Sequence, residues 1–321
     1  MKNLQIWQRG TAITMTIALM MTPVVMQAAQ LSGDAKASIP RDVQQIIVVD
    51  YKAMQNSPAA MQLKDRIMPP ELKRLETVLK TSGLKVDQDV DILAFTSFRA
   101  LGSDTSRILG VAQGQFRSAA ILAFFAKQKT KPVLIRNTAV YPMGTAGMSV
   151  AFLNQTTMVF GDREAVRSAI DSRDGMVPSF LSNSEMMNEM AVVDQRHVWS
   201  LLDQKGTQTM MRSVLGDAAQ LADYDTVKAR MKSARYTMDF TNGVRFDMAV
   251  VMSDTMTAAT AATLMKGVMM MKKTSGSPLE KSALEETSIE SSSGTLTIAY
   301  SSSDSQFANL LTSPLFQSVV K

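Results

Sequence analysis

The sequence predicts an α+β protein made of two tandem repeats of order β-α-ββ-α-ββ-α, with antiparallel sheets carrying their helices on one face. Three observations predict it. The chain has 321 residues, with 45% hydrophobic and 20% charged residues, which is about twice the ~150-residue prior for a globular domain. A D-x-K-x-x-Q pattern at a strand exit occurs twice, as Asp50-Tyr51-Lys52-Ala53-Met54-Gln55 and as Asp203-Gln204-Lys205-Gly206-Thr207-Gln208. Each copy is followed by the same succession of helical and strand-like segments. Consecutive hairpins with segregated helices indicate α+β.

The first unit opens on the β-branched run Gln45–Tyr51, read as a buried strand. Ser57-Pro58 supplies an N-cap with Pro at the first helical position, and the helical pattern is interrupted at Pro69-Pro70 before resuming through Leu72, Leu75 and Leu79 to Gly83. A strand pair follows at 90–98 and 107–114. Then come a helix from Ser118 with Ile121, Leu122 and Phe125 inward, extra β material at 132–141, a second pair at 148–153 and 156–160, and a helix capped by Asp162. Ser179–Met190 reads as a linking helix capped by Ser182 or Ser184.

The second unit opens on Val198–Asp203, then a helical segment over 209–221 weakened by Gly216, then strands at 232–240 and 244–251. Ala234, Tyr236, Met238 and Phe240 alternate with polar residues, and Val244, Phe246, Met248 and Val250 continue the alternation. A two-residue Asn-Gly turn would mix the two faces. A three-residue loop of Thr241, Asn242 and Gly243 instead sets Phe240 opposite Val244, Met238 opposite Phe246 and Asp239 opposite Arg245. A helix from Ser253 or Asp254 is expected to turn Met256, Ala259, Thr263, Gly267 and Met271 inward. Strands at 284–290 and 295–300, and a helix capped by Ser303 and Asp304, complete the unit.

Lys2 and Arg9 precede the uncharged run Thr11–Met26, which ends at Gln27-Ala28-Ala29. It is too short for a membrane span and has the form of a secretory signal peptide. The expected organisation is therefore a signal peptide over 1–29, a polar lead-in over 30–42, one α+β repeat over 43–195 and a second over 196–321. Removing the signal lowers the net charge from +5 to +3 and the methionines from 26 to 21. The mature chain is expected to be exported, periplasmic or extracellular, with no transmembrane span. Basic residues are interspersed with acids and aromatics are only 6%, so no nucleic-acid groove is expected.

The signal peptide, the strand–helix opening Ile46–Leu79 and the Phe160-Gly161-Asp162 strand-to-helix turn together resemble uncharacterised exported bacterial proteins with two tandem α+β repeats, a family of unknown function. The resemblance extends over nearly all of the mature chain and implies no catalytic residue.

The chemical inventory is sparse. With no Cys and one His, disulfides, zinc ribbons, iron–sulfur clusters, thiol nucleophiles, lipid-modified cysteines and multi-His metal sites are excluded within the chain. His197 has no nucleophile-elbow partner; Gly147-Met148-Ser149-Val150-Ala151 lacks the last Gly of G-x-S-x-G. Asp87, Asp89 and Asp91 resemble the start of a calcium loop, but Ile92 stands where Gly is needed and Phe98 where Glu is needed. No cofactor is expected. The candidate binding residues are Asp50, Lys52, Asp203 and Lys205, the recurring polar pattern, together with Met265, Met269 and Met270 from the methionine clusters. Thioether surfaces accommodate varied apolar partners. The expected function is an exported, non-catalytic binding or scaffolding protein of the bacterial cell envelope, whose partner is an envelope protein or an apolar ligand. The alternatives are a carrier of an apolar or lipid-like ligand and a carboxylate-dependent hydrolase.

Overall fold

The computed structural model describes residues 30–68, 70–99, 106–143, 147–215 and 224–312. The signal segment 1–29, Pro69, and Gly216 with the remainder of the helical reading up to 221 lie outside the described residues.

The first half of the chain contains α1 (Gly33–Ser38), β1 (Val43–Asp50), α2 (Tyr51–Met54), α3 (Pro58–Ile67), α4 (Pro70–Thr81), α5 (Val86–Asp89), β2 (Val90–Arg99), β3 (Ser106–Gly114), α6 (Ser118–Lys127), β4 (Val133–Ile135), β5 (Thr138–Met143), β6 (Met148–Phe152), β7 (Thr157–Asp162), α7 (Arg163–Arg173) and α8 (Ser184–Val193). The second contains β8 (Val198–Leu202), α9 (Gln204–Leu215), α10 (Tyr224–Ala229), β9 (Met231–Asp239), β10 (Val244–Met252), α11 (Thr255–Ser275), α12 (Pro278–Glu285), β11 (Thr287–Ser292), β12 (Thr295–Ser302) and α13 (Asp304–Leu311). The mixture of helices and antiparallel strands is α+β.

Helix starts follow local chemistry. The side chains of Ser57, Asp162, Asp254 and Ser303 each accept a backbone N–H of the helix that follows. Gly83 ends the helical segment at φ +99°. Several short helices were not anticipated, among them α12: Ser277 and Glu280 form a capping box with Pro278 at the first turn, so it occupies residues expected to begin a strand at 284.

The sheets expected in separate units form one 12-stranded sheet, ordered β11-β12-β10-β9-β8-β1-β2-β3-β7-β6-β5-β4. Its centre is the antiparallel pair β1–β8, registered Gln45 to Leu202, Ile47 to Ser200 and Val49 to Val198. The β9–β10 hairpin has the three-residue loop. Arg245 lies opposite Asp239 and Phe246 opposite Met238, and Gly243 sits at φ +83°. A Cβ on Gly243 would lie 2.4 Å from the Ser302 carbonyl oxygen, a second reason for glycine there. The expected cross-strand ion pair is not formed. Arg245 turns along its own strand to Asp247 at 2.9 Å, while Asp239 lies 3.8 Å from His197.

The helices do not all lie on one face. The front face carries Ile46, Val48, Ala94, Phe98, Leu109, Val111, Val159, Trp199 and Leu201, and α1, α7 and α8 cover it in the first half. On the back face, Phe95, Ala112, Met158 and Phe160 meet α4 and α6. Toward the middle of the back face α3 and α13 pack around Phe240 and Val244, and in the second half α9, α10 and α11 do so around Ala234, Met248 and Val250. Beyond β8, whose Trp199 and Leu201 are buried in the front core beneath α8, the second half is covered on the back. The physical reason is in the strands. β2, β3 and β7 carry apolar side chains at successive positions, so both their faces must be buried, whereas β9 and β10 place polar Arg235, Thr237, Asp239, Arg245 and Asp247 on the front.

Residues 30–42 are not a solvated lead-in. Ser32 caps α1, and Leu31, Ala35 and Ile39 are buried in the front core.

The stripe expected to point inward from α11 is also displaced. Thr257, Ala258, Ala261, Ala262 and Met265 face the sheet, while Met256, Ala259, Thr263, Gly267 and Met271 face solvent. Both stripes repeat at three- and four-residue steps, so periodicity alone does not distinguish them. The small alanines win because they let the helix lie close against Met248, Val250 and Leu296.

Candidate functional site

The two recurring aspartates occupy opposite ends of the central strand pair. The Asp50 N–H donates to the His197 carbonyl at 2.7 Å, and the Asp203 N–H donates to the Gln44 carbonyl at 3.0 Å. Each side chain then caps the next helix. Asp50 accepts from the Ala53 N–H at 2.8 Å, and Asp203 from the Gly206 N–H at 2.6 Å. Lys52 is exposed and pairs with Asp91 at 3.3 Å; Lys205 is exposed. The pattern thus marks two strand-to-helix turns and does not bring its four charged residues together. Gly206 is required by close approach, since a Cβ there would lie 2.3 Å from the Gln44 carbonyl oxygen.

Asp203 nevertheless opens onto a hollow lined by charged side chains. A cleft of about 390 Å³ lies between the N-terminal part of α8, the ends of β2 and β8, and the start of β9. It receives Arg41, Asp42 and Arg99, then Glu185 and Glu189 from α8, and Asp203 and Lys232 from the second half. Glu189 is neutralised by Arg235 at 2.5 Å, and Asp203 lies 4.0 Å from Arg99. Among the described residues, Arg41, Lys232, Asp42 and Glu185 make no ion pair within 4.0 Å. Burial pushes the Asp203 carboxyl above the usual carboxylate range, against the opposing pull of the Gly206 N–H and Arg99. The cleft therefore presents charges of both signs that have not cancelled one another.

Sequence patterning could not assemble this site. Its residues come from five separate segments, and only Asp203 is a fixed position of a recurring motif. The one usable signal was the capping aspartate before a glycine.

The methionine candidates divide. Met265 is buried in the core beneath α11, Met269 is half-buried against it, and Met270 is exposed. No Met-rich cavity follows from them. An apolar hollow lies elsewhere, beneath α4 and against Leu93, Phe95, Met158 and Phe160, and it measures only about 60 Å³. At its rim, Lys64 donates to the Tyr51 hydroxyl at 3.0 Å and pairs with Glu76 at 3.2 Å, and the Tyr51 hydroxyl donates to Asp87 at 3.1 Å. Burial pushes Glu76 up, but Lys80 and Lys64 outweigh it and hold the carboxyl below its ordinary value.

The remaining chemical motifs disperse. Asp87 accepts from Tyr51, Asp89 accepts from the Lys85 N–H at 2.7 Å, and Asp91 pairs with Lys52, so the three aspartates serve three separate partners. His197 lies near a hollow of about 230 Å³ lined by Ala53, Met54, Asn56, Ser57, Phe240 and Thr241, with Asp239 its ionic neighbour.

No family model matches the chain, and no curated protein matches it in sequence. Among solved structures it is similar to crystal form I of TP0453, with a TM-score of 0.47 and 7% identity over 86% of this chain and 95% of that one. Crystal form III of TP0453 gives a TM-score of 0.47 and 6% identity over 88% of this chain and 98% of that one. A likeness at these values identifies neither a ligand nor an activity for this chain.

Proposed function

We propose that this chain is an exported, non-catalytic binding protein of the bacterial cell envelope, and that its ligand occupies the cleft between α8 and the central strands. The observation carrying this reading is the cleft itself. Its volume of about 390 Å³ falls within the range of small-molecule sites, roughly 300–1,000 Å³. Arg41, Lys232, Asp42 and Glu185 line it as exposed side chains, and among the described residues none of them makes an ion pair within 4.0 Å. Unpaired charges at a cleft favour a ligand that brings both signs, such as an amino acid or short peptide with free termini. Residues of both halves supply the lining.

The two halves also read as tandem copies of one unit. From β1 and β8 outward, each side of the sheet continues with the second and third strands of its half, followed by the later hairpin.

A panel of dipeptides, free or blocked at either end, tests the ligand class by thermal shift. Free dipeptides are expected to raise the melting temperature, either blocking group to reduce the effect, and Lys232→Glu to abolish it. Equal responses to free and doubly blocked peptides would refute a zwitterion site.

The carboxylate hydrolase is the second reading, favoured by the upward displacement of Asp203, because a general acid needs that environment. Turnover of a bound peptide or saccharide that Asp203→Asn abolishes, with binding retained, would replace the non-catalytic reading. The apolar carrier has less support. A hollow of about 60 Å³ is well below the ~150 Å³ cavity that admits benzene.

A further inference from the structure

Charge is unevenly distributed along the chain. Residues 105–161 contain no acidic residue, the longest such stretch in the sequence, yet they carry six cations. Two of these are engaged inside the fold, Arg107 with Asp162 and Arg136 with Asp171, each at 2.9 Å. Arg117, Lys127, Lys129 and Lys131 are exposed, and among the described residues none of them makes an ion pair within 4.0 Å.

These four cations bracket an apolar surface. They lie at the two ends of α6, which has no charged residue before Lys127. Ile121 and Phe125 anchor the helix in the back core, where Phe125 stacks on Tyr141 at 4.8 Å. Ala119, Ala120, Ala123 and Ala126 turn outward to solvent, where a surface helix ordinarily carries polar side chains. From Lys127 the chain runs through Lys129 and Lys131 into β4, the last strand of the sheet. Leu134, 70% exposed, stands opposite Ala139 there, and so on the same face as Tyr141 and α6.

The backbone gives a second, independent sign. Lys129 holds φ +54°, one of only three positive values outside glycine among the described residues. α4 and α7 leave their last turns through Gly83 and Gly175, at φ +99° and +72°. α6 leaves through Lys129 instead. A left-handed lysine is strained where glycine is not, so a cation stands here at a cost to the fold.

A partner that takes up cations and apolar atoms together has an apolar interior beneath a negatively charged layer. The surface of an anionic phospholipid bilayer has that chemistry. A soluble polyanion matches the lysines but leaves the alanines and Leu134 in water. We propose that α6 and the segment Lys127–Leu134 dock this chain on anionic phospholipid headgroups, with the lysines on the phosphates and Leu134 at the acyl boundary. This surface lies on the back of the sheet at its outer edge. It is separate from the cleft beneath α8, and either reading can fail without the other.

Co-sedimentation of the full chain with mixed phosphatidylglycerol and phosphatidylcholine vesicles, compared with phosphatidylcholine alone, tests the docking. Each of Lys127→Gln, Lys129→Gln and Lys131→Gln should weaken binding to the anionic vesicles about fivefold, and the three together about a hundredfold. Added salt should erode that difference. Leu134→Ser should weaken binding about tenfold and leave the salt dependence unchanged. Residues 1–29 hold an apolar run of their own, so the readout is the ratio to a control, Lys266→Gln with Lys272→Gln. That control removes two exposed cations of α11 and should bind as the unsubstituted chain does. Lys129→Gly separates docking from folding. It should raise the melting temperature by relieving the left-handed backbone, and still weaken vesicle binding about fivefold. All the substituted positions are exposed, so the fold should be retained, as circular dichroism checks. Binding of the triple variant equal to that of the control, or a loss as large on neutral vesicles as on anionic ones, overturns the proposal. So does vesicle binding that Leu134→Ser leaves unchanged and poly-glutamate competes away, which would assign the lysines to a soluble polyanion.

Discussion

The two halves of the sheet share a strand order but not an environment. β7 has five successive buried residues from Thr157 to Gly161, flanked by β3 and β6 and covered by helices on both faces. Its counterpart in position, β12, has a single buried residue, Leu296, and its front face shows Thr295, Thr297, Ala299 and Ser301 to solvent. Arg235, Asp239, Arg245 and Asp247 continue that uncovered front. The helix after β7 packs on the front and the helix after β12 packs on the back, against α3. One strand arrangement can thus serve either as a middle layer or as an outer wall, according to the side its last helix takes. The cleft lies at the step between these regimes, where α8 ends the front covering and Glu189 reaches Arg235.

The largest expected contrast comes from matched truncations on the front face. Phe98, 1% exposed beneath the first-half helices, should cost about 3–5 kcal/mol as Phe98→Ala. Thr297→Ala, on the uncovered front, should change stability by no more than about 0.5 kcal/mol. Chemical denaturation of both variants checks this; similar costs would break the comparison. Next is the central strand pair, where Gly206→Ala should cost about 1–3 kcal/mol through overpacking against the Gln44 carbonyl.

Two carboxyls give opposite pH signatures. Glu76 is held below its ordinary value, so its stabilisation is present above the unfolded-state pKa and is lost as pH falls through the folded-state value. Glu76→Gln should therefore lower the melting temperature at pH 7, with the difference closing under acid conditions. Asp203 is held above its ordinary value, so the folded chain binds its proton more tightly and loses stability as pH rises from the unfolded-state pKa through the folded one. Asp203→Asn keeps a side-chain oxygen for the Gly206 N–H and should raise the melting temperature at pH 7, an increase that shrinks toward acid pH. Melting curves across pH check both signs. The smallest effect is Gly267→Ala, which should stabilise the chain by roughly 0.5–1 kcal/mol.

Much of the fold was legible because its signals are local. The Asp162, Asp254 and Ser303 caps and the Gly243 loop follow from side chains within a few residues of the turns they make. The face a helix presents is a different kind of information. The residues 256, 259, 263, 267 and 271 and the residues 258, 261, 262 and 265 are both acceptable stripes, and only the distance to the sheet decides between them. The double covering of the first half was present in the apolar runs of β2, β3 and β7, which differ from β9 and the start of β10, where Arg235, Thr237, Asp239, Arg245 and Asp247 break the pattern on one face. The cleft was not legible, because Arg41, Arg99 and Glu185 come from distant segments of the first half and Lys232 joins them only through the pairing of the two halves at β1 and β8.

Native mass spectrometry of the chain isolated from its own cells tests the binding account most directly. The account predicts an envelope fraction containing a polypeptide lacking residues 1–29, carrying a small noncovalent adduct that survives gentle desolvation and is absent from Lys232→Glu. A bare polypeptide in the unsubstituted protein, or an adduct that Lys232→Glu retains in full, would contradict the assignment of the cleft as the binding site.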